Sequence, residues 1–195
     1  MQRHLFAAVI LSASAASAAP VSVPGLDPLP REIPARCAAL ARVPASASIP
    51  GPTLAAHVSV ANCMAEVAMN GVAQTADDAS IAKFDQAVAT SMSTLDSVIS
   101  AGDPYWKIVA EDAKRDSYQS MIVRERVSIP GSDSVAHAAL EPKLARWQAG
   151  ENAALASIAQ LAHAYPALAQ RDPMISNVIA RAVEPTRTPR MATRR

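Results

Sequence analysis

The chain has 195 residues, of which 50% are apolar, 18% charged and 4% aromatic, with 15 prolines, 6 glycines and a formal net charge of +1. That length fits one compact domain, or two small ones, and the charge balance argues against a broadly basic polyanion binder. Alanine contributes 43 residues and Phe, Trp and Tyr together only 7, so the expected interior is one of closely packed helices rather than a thick aromatic core.

Met1 to Ala18 read as an export signal: Arg3 and His4, the apolar run Leu5–Leu11, then small residues ending in Ala16-Ser17-Ala18. Cleavage after Ala18 would leave Ala19 as the first residue. The apolar run is shorter than the roughly 20 residues a membrane crossing needs. No later stretch reaches that length without charge, so no transmembrane segment is expected and the destination is secreted or periplasmic.

Residues 19–52 form a proline-rich arm holding 8 of the 15 prolines, interrupted by a short helix over about 34–43 with Pro34 in its first turn. Leu26, Leu29 and Ile49 would be needlessly exposed unless this arm lies across the body. Cys37 and Cys63 are the only cysteines, both in helical patterns, and an oxidising destination predicts a disulfide between them. The bond would fasten the arm to the main body.

The expected fold is all-α: an antiparallel bundle of about four long helices plus short flanking helices, spanning residues 53–184. The first helix runs from Thr53 to about Ala73. Thr75 and Asp78 form a capping-box spacing for the second, whose stripe is Ile81, Phe84, Val88, Met92, Leu95 and Val98 or Ile99, with Lys83, Asp85 and Asp96 facing elsewhere. Gly102 ends it, and Asp103-Pro104 opens the third, which reaches about Val127. Pro130-Gly131 breaks the chain. A long helical stretch from Asp133 to Tyr165 follows, kinked or restarted at Pro142, and Gly150 costs it about 1 kcal/mol relative to alanine. Its stripe includes Leu140, Leu144, Trp147, Ile158, Leu161 and Tyr165. Asp172-Pro173 opens a last short helix closed by Pro185. Residues 185–195 form a flexible basic tail containing Arg187, Arg190, Arg194 and Arg195. Residues 19–186 carry 13 basic and 17 acidic side chains, so the body lacks a field that attracts nucleic acid.

Chemistry-bearing residues are sparse. His137 and Glu141 share a helix face but supply two metal ligands where a stable site needs three or four, so no metal is assigned. His57 or His163 with Met64 or Met92 could ligate haem, a pairing too common to imply a cofactor. Asp112 and Asp116 share a face beside Glu111 and Arg115, and paired carboxylates can divide acid and base roles where their environments differ. The simpler reading is a charged helix surface. Ser91, Ser93, Ser97 and Ser100 read as surface residues, since no nucleophile-elbow pattern surrounds them. With no catalytic residue assigned, the chain reads as an exported helical binding or adaptor module for a protein or a small apolar ligand. Two alternatives remain: a ligand or cofactor carrier whose cavity is lined by Trp106, Trp147 or a histidine, and an enzyme with dispersed Asp, Glu and His residues. An open apolar groove favours the first, an enclosed pocket the second, and converging carboxylates or histidines the third.

Overall fold

A computed structural model describes residues 22–42, 51–71, 78–128 and 134–183. Among them the protein is all-α, with no strands. A short 3-10 helix at Ala35–Ala41 precedes α1 (Gly51–Gly71), α2 (Asp78–Ala101), α3 (Pro104–Ser128), α4 (Ser134–Ala164), α5 (Leu168–Arg171) and α6 (Pro173–Val183). The export signal at 1–18, Ile49, the Thr75–Asp78 capping box and the basic tail at 185–195 lie outside what is described.

Helix starts follow the sequence cues. The Asp103 carboxylate accepts the Trp106 backbone N–H at 3.1 Å, and the Asp172 carboxylate accepts that of Met174 at 2.7 Å. Each aspartate satisfies a donor that the first turn leaves unpaired, and the proline after it has no N–H to satisfy. Pro52 stands in the first turn of α1 for the same reason. The arm's helix is tighter than an α-helix: the Cys37 N–H bonds the Pro34 carbonyl at 2.8 Å, and Pro34 is the residue before its first turn. α4 neither stops nor restarts at Pro142; it continues through it and ends before Tyr165-Pro166.

Packing is organised around α3, which contributes to three apolar clusters. Ala110 and Ala113 meet Val23 of the arm, Leu54, Val58 and Ala61 of α1, and Leu95 and Val98 of α2. Met121 and Ile122 meet Ala68, Phe84, Leu144 and Trp147. Ile108 meets Ile158 of α4 and Ile175 and Val178 of α6. Alanine at 61, 110 and 113 lets helix backbones approach closely. Ser91 exploits that approach: fully buried, its hydroxyl donates to the Ala61 carbonyl on α1 at 2.8 Å.

Ser91 and Ser97 are therefore interior residues, correcting the expectation that the α2 serines are all at the surface. Ser97 donates to the Thr94 carbonyl of its own helix at 2.8 Å, so both hydroxyls enter the core with their hydrogen bonds satisfied. Conversely, Ile81 and Tyr165, counted in apolar stripes, are 41% and 47% exposed because each lies near a helix end beyond its neighbours' reach.

Within the described residues 22–42, Val23 and Leu26 pack on the helices. Val23-Pro24-Gly25-Leu26 forms a type II turn, in which the Leu26 N–H bonds the Val23 carbonyl at 3.1 Å and Gly25 takes φ 79°. Proline and glycine suit those two central positions by fixed φ and by freedom to adopt positive φ. The turn sets Val23 and Leu26 against α1, α2 and α3. Further along, the Cys37 and Cys63 sulfurs stand at disulfide-bonding distance, 2.02 Å apart. Arg36 pairs with Glu66 of α1 at 3.1 Å, an exposed contact of small energetic weight beside the cysteine link.

Candidate functional site: a groove between the arm and two helices

A concavity lies where the arm crosses α1 and α2. It has a volume of about 700 Å³ and is open to solvent on one side. Pro30 and Pro34 form its arm wall, Met64, Val67 and Ala68 the α1 side, and Ala82 and Ala87 the α2 side. Small residues facing one another on α1 and α2 leave the space, and the arm prolines roof part of it without offering N–H groups that would need partners. Its volume falls in the range of small-ligand sites. Arg31, Glu32 and Lys83 also line it. Among the described residues neither Arg31 nor Lys83 has an ion-pair partner, so the mouth carries one surplus positive charge. A more polar cleft of about 370 Å³ adjoins it, sharing Pro30, Gln86 and Thr90 and reaching Asp27, Ser93 and Thr94.

Two connections hold the arm wall. Cys37 meets Cys63, the residue before groove-lining Met64. His57 is only 5% exposed, and its Nδ1 stands 2.8 Å from the Thr53 carbonyl while its Nε2 stands 3.0 Å from the Asp27 carbonyl of the arm. Both His57 nitrogens thus face backbone carbonyl oxygens in this arrangement, rather than an open position beside Met64 or Met92. His163 is exposed on α4. His137 and Glu141 lie on α4, and the His137 side chain is outside what is described. Thr53 Oγ1 is buried without a hydrogen-bond partner among the described residues.

The polar middle of α3 is not a plain solvated face. Glu111 and Arg115 are each 8% exposed, because α2, α4 and α6 pack around this segment. Arg115 binds Asp112 at 2.9 Å and also Asp116, and Arg181 of α6 reaches Asp112 at 2.9 Å. Lys114 pairs with Asp96 of α2 at 2.7 Å. Burial pushes the Glu111 carboxyl above its ordinary range, against the opposing Ser157 hydrogen bond and Lys114 charge. Burial likewise raises Asp112, with Asp116 adding and Arg115 and Arg181 opposing. For Lys114, burial works against the charge, but the Asp96 bond and the surrounding negative charges outweigh it and raise the ammonium pKa. The carboxylates at 112 and 116 converge on the Arg115 guanidinium within α3, and the Asp112–Arg181 pair joins α3 to α6.

Glu111 carries a testable cost. Its folded pKa lies above the unfolded value of about 4.5, so the folded state retains a proton that the unfolded state has lost. Stability from this group is greatest below that value and declines as pH rises through the folded pKa. Glu111→Gln, which keeps an acceptor for Ser157 without the charge, is expected to match or exceed wild-type stability at neutral pH. The advantage should shrink on acidification. Urea melts of both proteins at pH 4 and 7 check this; a Gln variant markedly weaker only at pH 7 would show that the Glu111 charge stabilises the fold.

Of the groove lining, Met64 alone is a site candidate from the sequence; Pro34 and Lys83 are read there only for their places on helices. Trp106 packs against the Leu95–Val98 cluster and Trp147 is buried against Phe84, so neither tryptophan lines it. Lys143 caps Trp147, its ammonium 4.7 Å from the ring centroid and 3.0 Å from Glu125. Among the described residues no group of three or more His, Cys, Asp or Glu side chains is placed to hold a metal ion, and no helix is long and apolar enough to cross a membrane. No protein-family model, curated protein or solved structure matches the chain.

Proposed function

We propose that the protein is an exported helical binding module whose binding surface is the groove between the arm, α1 and α2, and whose ligand is a small apolar molecule with an anionic end. The observation that carries this reading is the groove itself: an open, apolar concavity of about 700 Å³ bounded by three elements, with Arg31 and Lys83 at its mouth. An open groove supports binding and presentation over sequestration in an enclosed cavity. The antiparallel bundle of four long helices is its scaffold in this reading: the Leu54–Val58 end of α1 meets Leu95 and Val98, while Ala68 meets Phe84 at the opposite end of α2. Export is supported by the residue pattern at 1–18 and by a cysteine pair at bonding distance.

The probe 1-anilinonaphthalene-8-sulfonate, an apolar aromatic anion, tests the site. It is expected to bind with enhanced fluorescence, and Ala82→Trp, which places a ring in the groove from an exposed position, is expected to abolish binding without altering the far-ultraviolet helical spectrum. Lys83→Ala should weaken the sulfonated probe about two- to fivefold, the weight of one exposed charge contact. Neutral N-phenyl-1-naphthylamine should be unaffected by that change. Unchanged binding of both probes to Ala82→Trp would move the site elsewhere, and equal sensitivity of both to Lys83→Ala would remove the anionic preference.

A further inference from the structure

The bonds made by His57 require more protons than a neutral ring supplies. A neutral imidazole has one N–H and one lone pair. Both groups facing His57 are carbonyl oxygens, which only accept: Thr53 at 2.8 Å from Nδ1 and Asp27 at 3.0 Å from Nε2. In either neutral tautomer one lone pair would point at a carbonyl oxygen and repel it. The imidazolium alone donates to both. We propose that His57 is a protonation-dependent clasp for the proline-rich arm, holding Asp27 to α1 while both ring nitrogens carry protons and releasing it when the Nε2 proton is lost, Nδ1 keeping its proton for the Thr53 carbonyl of the same helix.

The surroundings make that proton decisive. Residues 51–65 of α1 contain no charged side chain, and Glu66 beyond them is paired with Arg36. The neighbouring α2 and α3 present Leu95, Val98, Ala110 and Ala113 to this end of α1. Asp96 of α2 is paired with Lys114 of α3, and Asp103 caps α3. On the arm, Asp27 is the charged residue in contact, meeting the ring through its backbone carbonyl. Its carboxylate is exposed. No described side chain pairs with the ring, so the link to the arm depends on the imidazole's own charge state.

Its position makes the clasp a control element. Asp27 lies between the turn that seats Val23 and Leu26 and the Pro30–Pro34 wall of the groove. Cys37 fixes the far end of that wall to α1. Release at Asp27 would therefore free the wall at one end only, opening the groove without detaching the arm. Proton uptake at Nε2 therefore closes the clasp and proton loss opens it.

The test is nitrogen-15 NMR of the intact, oxidised protein labelled at histidine, with amide exchange followed in parallel. Both His57 ring nitrogens are expected to be protonated at the acidic end. As the Nε2 proton is lost, protection of the Leu26 amide, corrected for intrinsic exchange, should fall about tenfold to a hundredfold, the weight of one charge-assisted hydrogen bond. His57→Gln should abolish the pH dependence, whereas His163→Gln should retain it. A ring singly protonated throughout the range would overturn the proposal, as would arm protection indifferent to pH. Should His57→Gln not fold, the wild-type titration alone decides.

Discussion

Removing the link between Cys37 and Cys63 is expected to destabilise the protein by about 3.6 kcal/mol, the loop-closure value for a 27-residue ring counted across a separation of 26. The effect arises chiefly in the unfolded chain, which gains freedom once the arm is no longer tied to α1. Urea denaturation of the Cys37→Ser/Cys63→Ser protein should show the midpoint falling and the denaturant dependence steepening, because the unlinked chain exposes more surface on unfolding. Intact mass without reductant should be lower by two hydrogens than after reduction, on a chain beginning at Ala19. Groove binding should weaken together with stability, since Pro30 and Pro34 lie on the arm held by this link. A serine variant as stable as wild type would show that the docking of Val23 and Leu26 already restricts the unfolded arm.

Gly150→Ala is the second substitution with a large expected effect, and its sign opposes helix propensity. Alanine in a helix interior gains about 1 kcal/mol over glycine. Here, however, a Cβ at residue 150 would fall 2.5 Å from Cζ of Tyr118, with two further ring atoms within 2.9 Å. The half-buried ring would have to turn out of the α3–α4 contact or push the helices apart. Overpacking of this kind costs about 1–3 kcal/mol, so a net loss of stability is expected. The paired variant Gly150→Ala/Tyr118→Ala should be less destabilised than the sum of its single changes, because the clash needs both partners. A higher melting temperature for Gly150→Ala would show that the Tyr118 ring moves into solvent at little cost.

The two substitutions mark where sequence reading succeeds and where it stops. The Cys37–Cys63 pairing is expected because these are the chain's two cysteines, both in helical patterns, and the structure brings them to bonding distance. Gly150 reads from sequence as a local weakness. Its role as the point where α4 meets Tyr118 depends on which residue stands opposite, and one strand of letters does not contain that information. The same holds for Ser91 and Ser97. Their spacing fits either helix face; packing decided their burial, and the hydroxyls are satisfied by the Ala61 carbonyl of α1 for Ser91 and by the Thr94 carbonyl of the same helix for Ser97.

The polar middle of α3 shows how periodicity loses resolution in a central helix. A helix packed on one side separates polar from apolar positions, but α3 meets α1, α2, α4 and α6. Its charged residues must then enter the contacts and find partners, as Arg115 does with Asp112 and Asp116, and Lys114 with Asp96. Frequent alanine further blurs the faces, because a methyl group is accepted on either side.

Local chemistry along the chain was enough to set the helical class, the aspartate–proline starts at 103 and 172, the break at Gly102 and the partnership of the cysteines, because each depends on backbone preferences or on a unique pair. Tertiary structure alone decided the groove, the encirclement of α3, the close approach at Gly150 and the meeting of His57 with Asp27. Those features come from residues brought together across different elements, 30 positions apart for His57 and Asp27. Shape and proton demand at such contacts belong to the packing of several helices, which the periodicity of any one of them does not specify.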